Sequence, residues 1–240
     1  VDYARDDATV SMFDVYAGPG LAGVARGTVK ALRVIELVFR PFGSRGGLGQ
    51  YGPAGGTLIM PPMGLDCSWD AKRVVGTVAV EPDGSATFRA PANTALCFQP
   101  LDAQGEALQW MRSWVTLMPG EHASCVGCHE AKAQTPAAAR STAQYSDAMP
   151  PQPWLVSDRT FSFHQDVQPV LDRACVACHN QDHPSGIDLR GDKTDAYSLG
   201  YEHLRRYVDC PGPQSVPPLI PARSTGAVAS RLVAMLRDGH

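Results

Sequence analysis

The sequence predicts an α+β protein, with a β-sandwich-like domain over residues 1–150 and a mainly α-helical domain over residues 151–240. Three observations carry that prediction. Short branched and apolar runs alternate with turn residues through the first half, the pattern of a small sandwich. The stretch from Thr135 to Pro153 is rich in Ala, Ser, Thr and Pro and is the best candidate linker. Beyond Trp154, apolar residues recur at helical rather than alternating spacing.

The elements follow in order. Thr28 to Phe39 (TVKALRVIELVF) begins with alternation and is rich in branched residues, so it reads as a strand. Gly43 to Gly56 contains seven glycines without a phosphate-loop pattern and reads as a long flexible loop. Val74 to Val80 and Ala86 to Ala90 flank Glu81-Pro82-Asp83-Gly84-Ser85, which predicts a hairpin. Ala95 to Leu101 is another strand, turned by Asp102-Ala103-Gln104-Gly105 toward Ala107 to Leu117. In the second half, a helix is expected through Val167, Val170 and Leu171, with Pro169 imposing a late start or a kink. Asn180 to Asp195 reads as loop, Tyr197 to Val208 as helix, and Pro211 to Pro221 as a Pro-rich connection. A last helix starts near Thr225, places Val228, Leu232, Met235 and Leu236 on one face, and stops at Gly239.

Composition excludes several classes. With 44% hydrophobic and 19% charged residues, the 240-residue chain is neither disordered nor fibrous. No apolar run approaches the roughly 20 residues of a membrane-spanning helix. A net charge of -3 without a basic run argues against nucleic acid as a partner. The start at Val1, without an initiator Met, suggests a removed leader or a piece of a longer protein.

The cysteines carry the functional argument. Four of seven fall in two CxxCH motifs, Cys125-Val126-Gly127-Cys128-His129 and Cys175-Val176-Ala177-Cys178-His179. This is the attachment pattern of haem c. Two thiols one helical turn apart can form thioethers with the two porphyrin vinyl groups, and the adjacent His then offers its imidazole to the iron. With 7 Cys and 7 His, one such motif is expected by chance roughly 0.006 times per chain, so two are no accident of composition. A four-cysteine structural zinc site would use the same pairs, but zinc does not require His after both of them. The expected cofactors are therefore two covalently bound haem c groups. Covalent attachment occurs outside the bacterial cytoplasmic membrane, which predicts a periplasmic or extracellular location, where disulfides are tolerated. Cys67, Cys97 and Cys210 allow one disulfide or buried thiols. Two haems add roughly four negative propionate charges, which suits a basic docking partner.

His129 and His179 are the expected proximal iron ligands. The sixth ligand decides the chemistry, since a saturated iron transfers electrons and an open one binds small molecules. His240 lies just past the last helix and is the candidate distal ligand of the second haem. His164, eleven residues before Cys175, is a weaker candidate for either haem. His122 reads as a solvated loop residue, His183 and His203 as surface residues, and Met118 and Met235 as core.

Three stretches carry a resemblance. GVARGTVKALRV (Gly23 to Val34), WDAKRVVGTVAVEPDGSATFRAPANTALCFQPLDAQGEALQWMRSWVTLMPGEHASCVGCHE (Trp69 to Glu130) and DVQPVLDRACVACH (Asp166 to His179) resemble the middle and C-terminal haem domains of hydrazine synthase alpha-subunit-like proteins. In that family these domains normally follow a β-propeller. The resemblance implies an unusual first haem, whose iron is bound by a Tyr four residues after the motif His, leaving that His for zinc. Ala133 occupies that position here and cannot ligate, which leaves His129 as an ordinary iron ligand. The resemblance also implies a bis-His second haem, which suits His179 with His240.

Two functions follow as expectations. The first is electron transfer by a di-haem cytochrome in a larger redox assembly, with other cytochrome subunits or copies of itself as partners. The second is a hydrazine-synthase-like or other small-molecule redox enzyme with an open first haem. Fold alone does not choose the reaction.

Overall fold

The computed structural model describes residues 1–38, 71–129, 141–154, 159–195, 197–208 and 219–240. The glycine-rich stretch 43–56, Cys67, Ala133, Cys210 and most of the Pro-rich connection lie outside the described residues. The architecture is α+β, with two sheets and a few short helices. The chain forms two compact units. The first comprises Val1–Val38, Lys72–Arg159 and Val216–Val228; the second comprises Phe39–Ala71, Thr160–Ser215 and Ala229–His240.

In the first unit the strands are β1 (Asp7–Met12), β2 (Ala31–Val38), β3 (Ala71–Ala79), β4 (Ala86–Pro91), β5 (Ala95–Leu101), β6 (Val115–Thr116) and β7 (His122–Cys125). One sheet has the order β4-β1-β7 and the other β3-β2-β5-β6. Strand alternation points Ala8, Val10 and Met12 of β1, Leu32 and Val34 of β2, Phe88 of β4, and Leu96 and Phe98 of β5 into one shared core. Phe88 and Phe98 meet edge to face across the sheets, with ring centroids 5.7 Å apart. On the opposite face of β2 and β5, Ile35 stands opposite Cys97. Burial keeps Cys97 a thiol and pushes its pKa up to about 11.

The Glu81–Ser85 reversal is not the expected hairpin. The Glu81–Ser85 turn closes, with Glu81 N–H donating to the Ser85 carbonyl at 2.8 Å and Gly84 N–H to the Glu81 carbonyl at 2.8 Å. Yet β3 and β4 enter different sheets, so the turn is a corner of the sandwich rather than a hairpin. Each strand finds a better-matched partner: β4 pairs with β1 over six residues, from Asp7–Pro91 to Met12–Ala86. The strand expected within Ala107 to Leu117 shrinks to β6, because 102–106 is tied to the Asp102 carboxylate and the next residues are held by other bonds.

The linker expectation also changes for its described part. Residues 141–154 lie along the sandwich edges: Thr77 and Gln152 exchange backbone bonds at 2.9 and 2.8 Å, and Arg89 N–H donates to the Met149 carbonyl at 3.0 Å. Small side chains suit a segment that docks through its backbone. Asp83 fixes its start. The carboxylate accepts the Thr142 N–H at 2.6 Å and both the N–H and the hydroxyl of Ser85 at 3.0 and 2.6 Å. Burial opposes ionisation, but these three donors prevail and hold the Asp83 carboxyl well below the usual carboxylate range.

The second unit is built on α1 (Gln168–Ala174), α2 (Leu199–Leu204) and α3 (Arg231–Arg237). Before α1, a π turn spans Phe163–Val167, and Ser162 accepts the Gln165 N–H at its start. Pro169 falls in the first turn of α1, where its missing N–H costs nothing, so the late start prevails over a kink. A short 3-10 turn, Arg205–Tyr207, extends α2. Leu171, Leu189 and Leu204 form a small buried cluster, joined at its edge by Cys175, Val176 and Leu232. Of the face expected on the last helix, Leu232 packs on this cluster while Leu236 is exposed.

Candidate functional site

The first CxxCH segment grows out of the sandwich. Strand β7 runs parallel to β1, with Met12 opposite Cys125. The pairing continues past the strand end through backbone bonds from Phe13 N–H to the Cys125 carbonyl (2.9 Å) and Asp14 N–H to the Val126 carbonyl (3.2 Å). Cys128 N–H then donates to the Val15 carbonyl (3.3 Å), and Gly20 N–H to the Cys128 carbonyl (3.2 Å). The approach is so close that two positions must be glycine. A Cβ on Gly127 would lie 2.2 Å from the Ala17 carbonyl oxygen, and one on Gly20 would lie 2.3 Å from the Cys128 carbonyl oxygen. Cys125 and Cys128 are half-buried thiols at the rim of the core. His129 ends the segment in the left-handed backbone region (φ 62), with its ring exposed. The helical turn expected between the first pair of thiols is absent: Cys125 closes a strand, because parallel pairing with β1 takes up its backbone.

The second segment follows α1 directly. Cys175 N–H and Val176 N–H donate to the Leu171 carbonyl at 2.8 and 2.9 Å, and His179 N–H donates to the Cys175 carbonyl at 2.8 Å. Both thiols therefore sit on helix-like turns. The buried Gln168 amide donates to the Leu189 carbonyl (2.9 Å) and the Asp172 carboxylate (2.8 Å), and Leu189 N–H donates to the His179 carbonyl (3.0 Å). This braces the motif against the loop behind it.

His179 lies beside two other imidazole rings. Its Nε2 is 3.4 Å from Nε2 of His240, with ring centroids 5.6 Å apart, and the His183 ring lies 4.3 Å away on another side. Its Nδ1 is shut from solvent with no partner in hydrogen-bonding geometry; the Ile187 backbone only weakly favours protonation there. Burial first, and then His183 and His240, lower the His179 pKa, which favours the neutral, ligand-competent imidazole. His240 is aimed by the end of α3. Gly239 takes a left-handed backbone (φ 91), its N–H donates to the Leu236 carbonyl at 3.4 Å, and His240 N–H donates to the Met235 carbonyl at 3.1 Å. That pair of bonds is a Schellman cap, which folds the last residue back over the helix end.

His240, rather than His164, meets His179; His164 is exposed on the π turn, 6.4 Å from Phe163 by ring centroids. His183 is not a plain surface residue. Its Nδ1 is held by Ser185, at 2.6 Å from the hydroxyl and 3.2 Å from the N–H, which turns the ring toward His179. Its place four residues after the motif His is the signal that could have singled it out. His203 accepts the Asp188 N–H at 2.8 Å, and His122 lies 2.8 Å from the Ser11 hydroxyl on the outer face of β7. Among the described residues, no group of three or more His, Cys, Asp or Glu side chains converges to hold a metal ion. Among those residues, no helix is long and apolar enough to cross a membrane.

Most of the sandwich, with its CxxCH segment, falls within a stretch that resembles a known family. Residues 27–130 match the family described as the hydrazine synthase alpha subunit middle domain. Over that stretch the chain is similar to hydrazine synthase alpha subunits. It is 26% identical over 243 aligned positions to hydrazine synthase subunit alpha of Kuenenia stuttgartiensis, a match covering 75% of this chain and 30% of that protein. The solved structure of Kuenenia stuttgartiensis hydrazine synthase shares the fold with a TM-score of 0.61 at 22% identity, over 83% of this chain and 34% of that one. The chain thus spans about a third of the length of these relatives.

Proposed function

We propose that the chain is the haem-bearing part of a hydrazine-synthase-like redox enzyme acting on a small nitrogen or oxygen species. In this reading Cys125 and Cys128 hold a first haem c, with His129 as its proximal ligand. Cys175 and Cys178 would hold a second, with His179 and His240 as the imidazoles offered to its iron. Each compact unit then carries one haem, the β-rich domain ending near residue 150 and the cytochrome domain following it. The residues fit the group. All four cysteines are thiols outside any disulfide, and His179 favours its neutral form. The Nε2 atoms of His179 and His240 already face each other, at a separation near the about 4 Å that two metal–imidazole bonds span.

Haem supplies one-electron exchange at its iron, and the protein's part is to decide which iron is open. The observation that carries the reading is the unequal surroundings of the two motif histidines. His179 meets His240, whereas the exposed His129 ring has no partner among the described residues. His179 and His240 together would hold the second haem for electron exchange, while His129 alone would leave the first open to a small molecule. His164 remains the weaker distal candidate, and its exposure counts against it. Similarity to the alpha subunit of hydrazine synthase supports an enzyme over a pure carrier, and it supports partner subunits. A periplasmic or extracellular location follows from covalent haem attachment.

Carbon monoxide added to the reduced protein tests this. Binding at one of two haems is expected. Binding at neither would leave two saturated haems and favour electron transfer alone.

A further inference from the structure

We infer that Gln109 is a positioning residue for the first CxxCH segment, acting through the backbone of Gly20 on both sides of its Cα. The inference rests on the proposed attachment of haem at Cys125 and Cys128. Gln109 is 8% exposed, in a stretch with no regular strand or helix, and it is the place where three chain segments of the first unit meet. Its amide Nε2 donates to the Gly20 carbonyl at 3.0 Å and to the Ile220 carbonyl at 2.7 Å, and its Oε1 accepts the Trp110 N–H at 3.1 Å. Both N–H bonds and the oxygen are used, so the amide orientation is settled. Turned over, it would set its oxygen against two carbonyl oxygens.

The Gly20 residue held in this way is the brace of the motif. Its own N–H donates to the Cys128 carbonyl at 3.2 Å, and a Cβ there would also lie 3.0 Å from Cβ of His129. A line of contacts thus runs from the Ile220 carbonyl through the Gln109 amide to the Gly20 carbonyl, and from the N–H on the other side of Gly20 to the peptide joining Cys128 to His129. That last peptide sets the left-handed backbone of His129 and hence the direction of its ring. The segment around Ile220 is itself anchored beside Gln109, since Arg223 N–H donates to the Leu108 carbonyl at 2.8 Å. A buried, fully bonded glutamine is expensive to place by chance, because losing any one bond leaves a buried carbonyl or amide without a partner. Its geometric effect falls on the proximal ligand rather than on the sandwich core, to which it adds no apolar packing.

The test uses the holoprotein with Gln109→Leu and Gln109→Glu. Haem content per chain and intact mass are read first, then the ferric spin state and midpoint potential of each haem well below the unfolding temperature. In Gln109→Leu the first haem is expected to shift in spin state and potential while the second keeps its wild-type values. Amide hydrogen exchange of peptides containing Gly20 and Cys128 is expected to rise by tenfold or more. In Gln109→Glu the shift is expected to appear near neutral pH and to recede at acid pH, where the protonated carboxyl again donates a hydrogen bond. If both haems keep wild-type signals and only the melting temperature falls, Gln109 is merely structural and the inference is overturned. Equal shifts at both haems overturn it too. A wild-type protein with two haems separates these failures from failure of the haem proposal, which a wild-type protein without haem would reveal.

Discussion

Replacing Gly239 by Ala isolates the device that aims His240. Nothing lies within 4 Å of a Cβ added at Gly239, so the substitution introduces no clash. What it does meet is the left-handed backbone (φ 91), which disfavours an L side chain by about 1–2 kcal/mol. Because about 1.4 kcal/mol is a factor of ten in an equilibrium, the Schellman-capped end should lose about tenfold in population against a frayed one. A frayed end lets His240 leave its place opposite His179. The expected result is about a tenfold weaker hold of the distal ligand, read as a tenfold lower midpoint in a titration of the ferric second haem with imidazole. Gly239→Asn, whose side chain tolerates this backbone region, should fall between Ala and wild type. The first haem should not respond. An unchanged titration in Gly239→Ala, or an equal change at both haems, would refute the assignment of His240 and the role of the cap.

Further predictions follow from the rest of the chain. Gly127→Ala should displace the first thiol pair, since its Cβ would meet the Ala17 carbonyl at 2.2 Å; haem per chain should drop from two to one, and retention of two would contradict the clamp. Cys97, with its pKa pushed up to about 11, should resist alkylation at pH 8 in the native protein and react after denaturation, which peptide mass mapping can check. Asp83 is ionised more readily in the folded than in the unfolded chain, so its contribution is present above the ordinary carboxylate range and lost as pH falls below about 4. Asp83→Asn should therefore flatten the acid limb of the stability curve and cost about 1 kcal/mol at pH 7, a modest sum because solvent screens the site. Equal acid sensitivity in the variant and the parent protein would show that Asp83 does not carry it.

The sandwich was legible where hydrophobic alternation is long. Residues 31–38, 71–79, 86–91 and 95–101 all form strands close to the places the pattern assigns. Strands β1 and β7 escaped because DATVSM and HASC are short and half polar, and it is pairing, of β1 with β4 and β7 and of β7 with β1, that makes them strands. The corner at Glu81–Ser85 shows the limit of turn chemistry: Pro-Asp-Gly specifies a tight reversal but not which strands then pair. The segment 141–154 misled for a related reason, as a chain that docks through its backbone leaves little trace in side-chain composition. At the candidate site, the thiol and imidazole spacing was readable because the proposed thioether attachment would dictate it. The approach of His240 to His179 followed from helix phase and a terminal glycine. The position of His183, and the brace through Gln109 and Gly20, depend on contacts between segments that are distant in sequence, which periodicity does not encode.

In the proposed reading, thioether bonds at Cys125, Cys128, Cys175 and Cys178 hold two porphyrins. Intact mass of the acid-denatured protein, taken together with its haem and metal content, tests this most directly. The account predicts the polypeptide mass plus two haems, with two irons per chain. A colourless protein at the bare polypeptide mass, carrying zinc instead of iron, would contradict it.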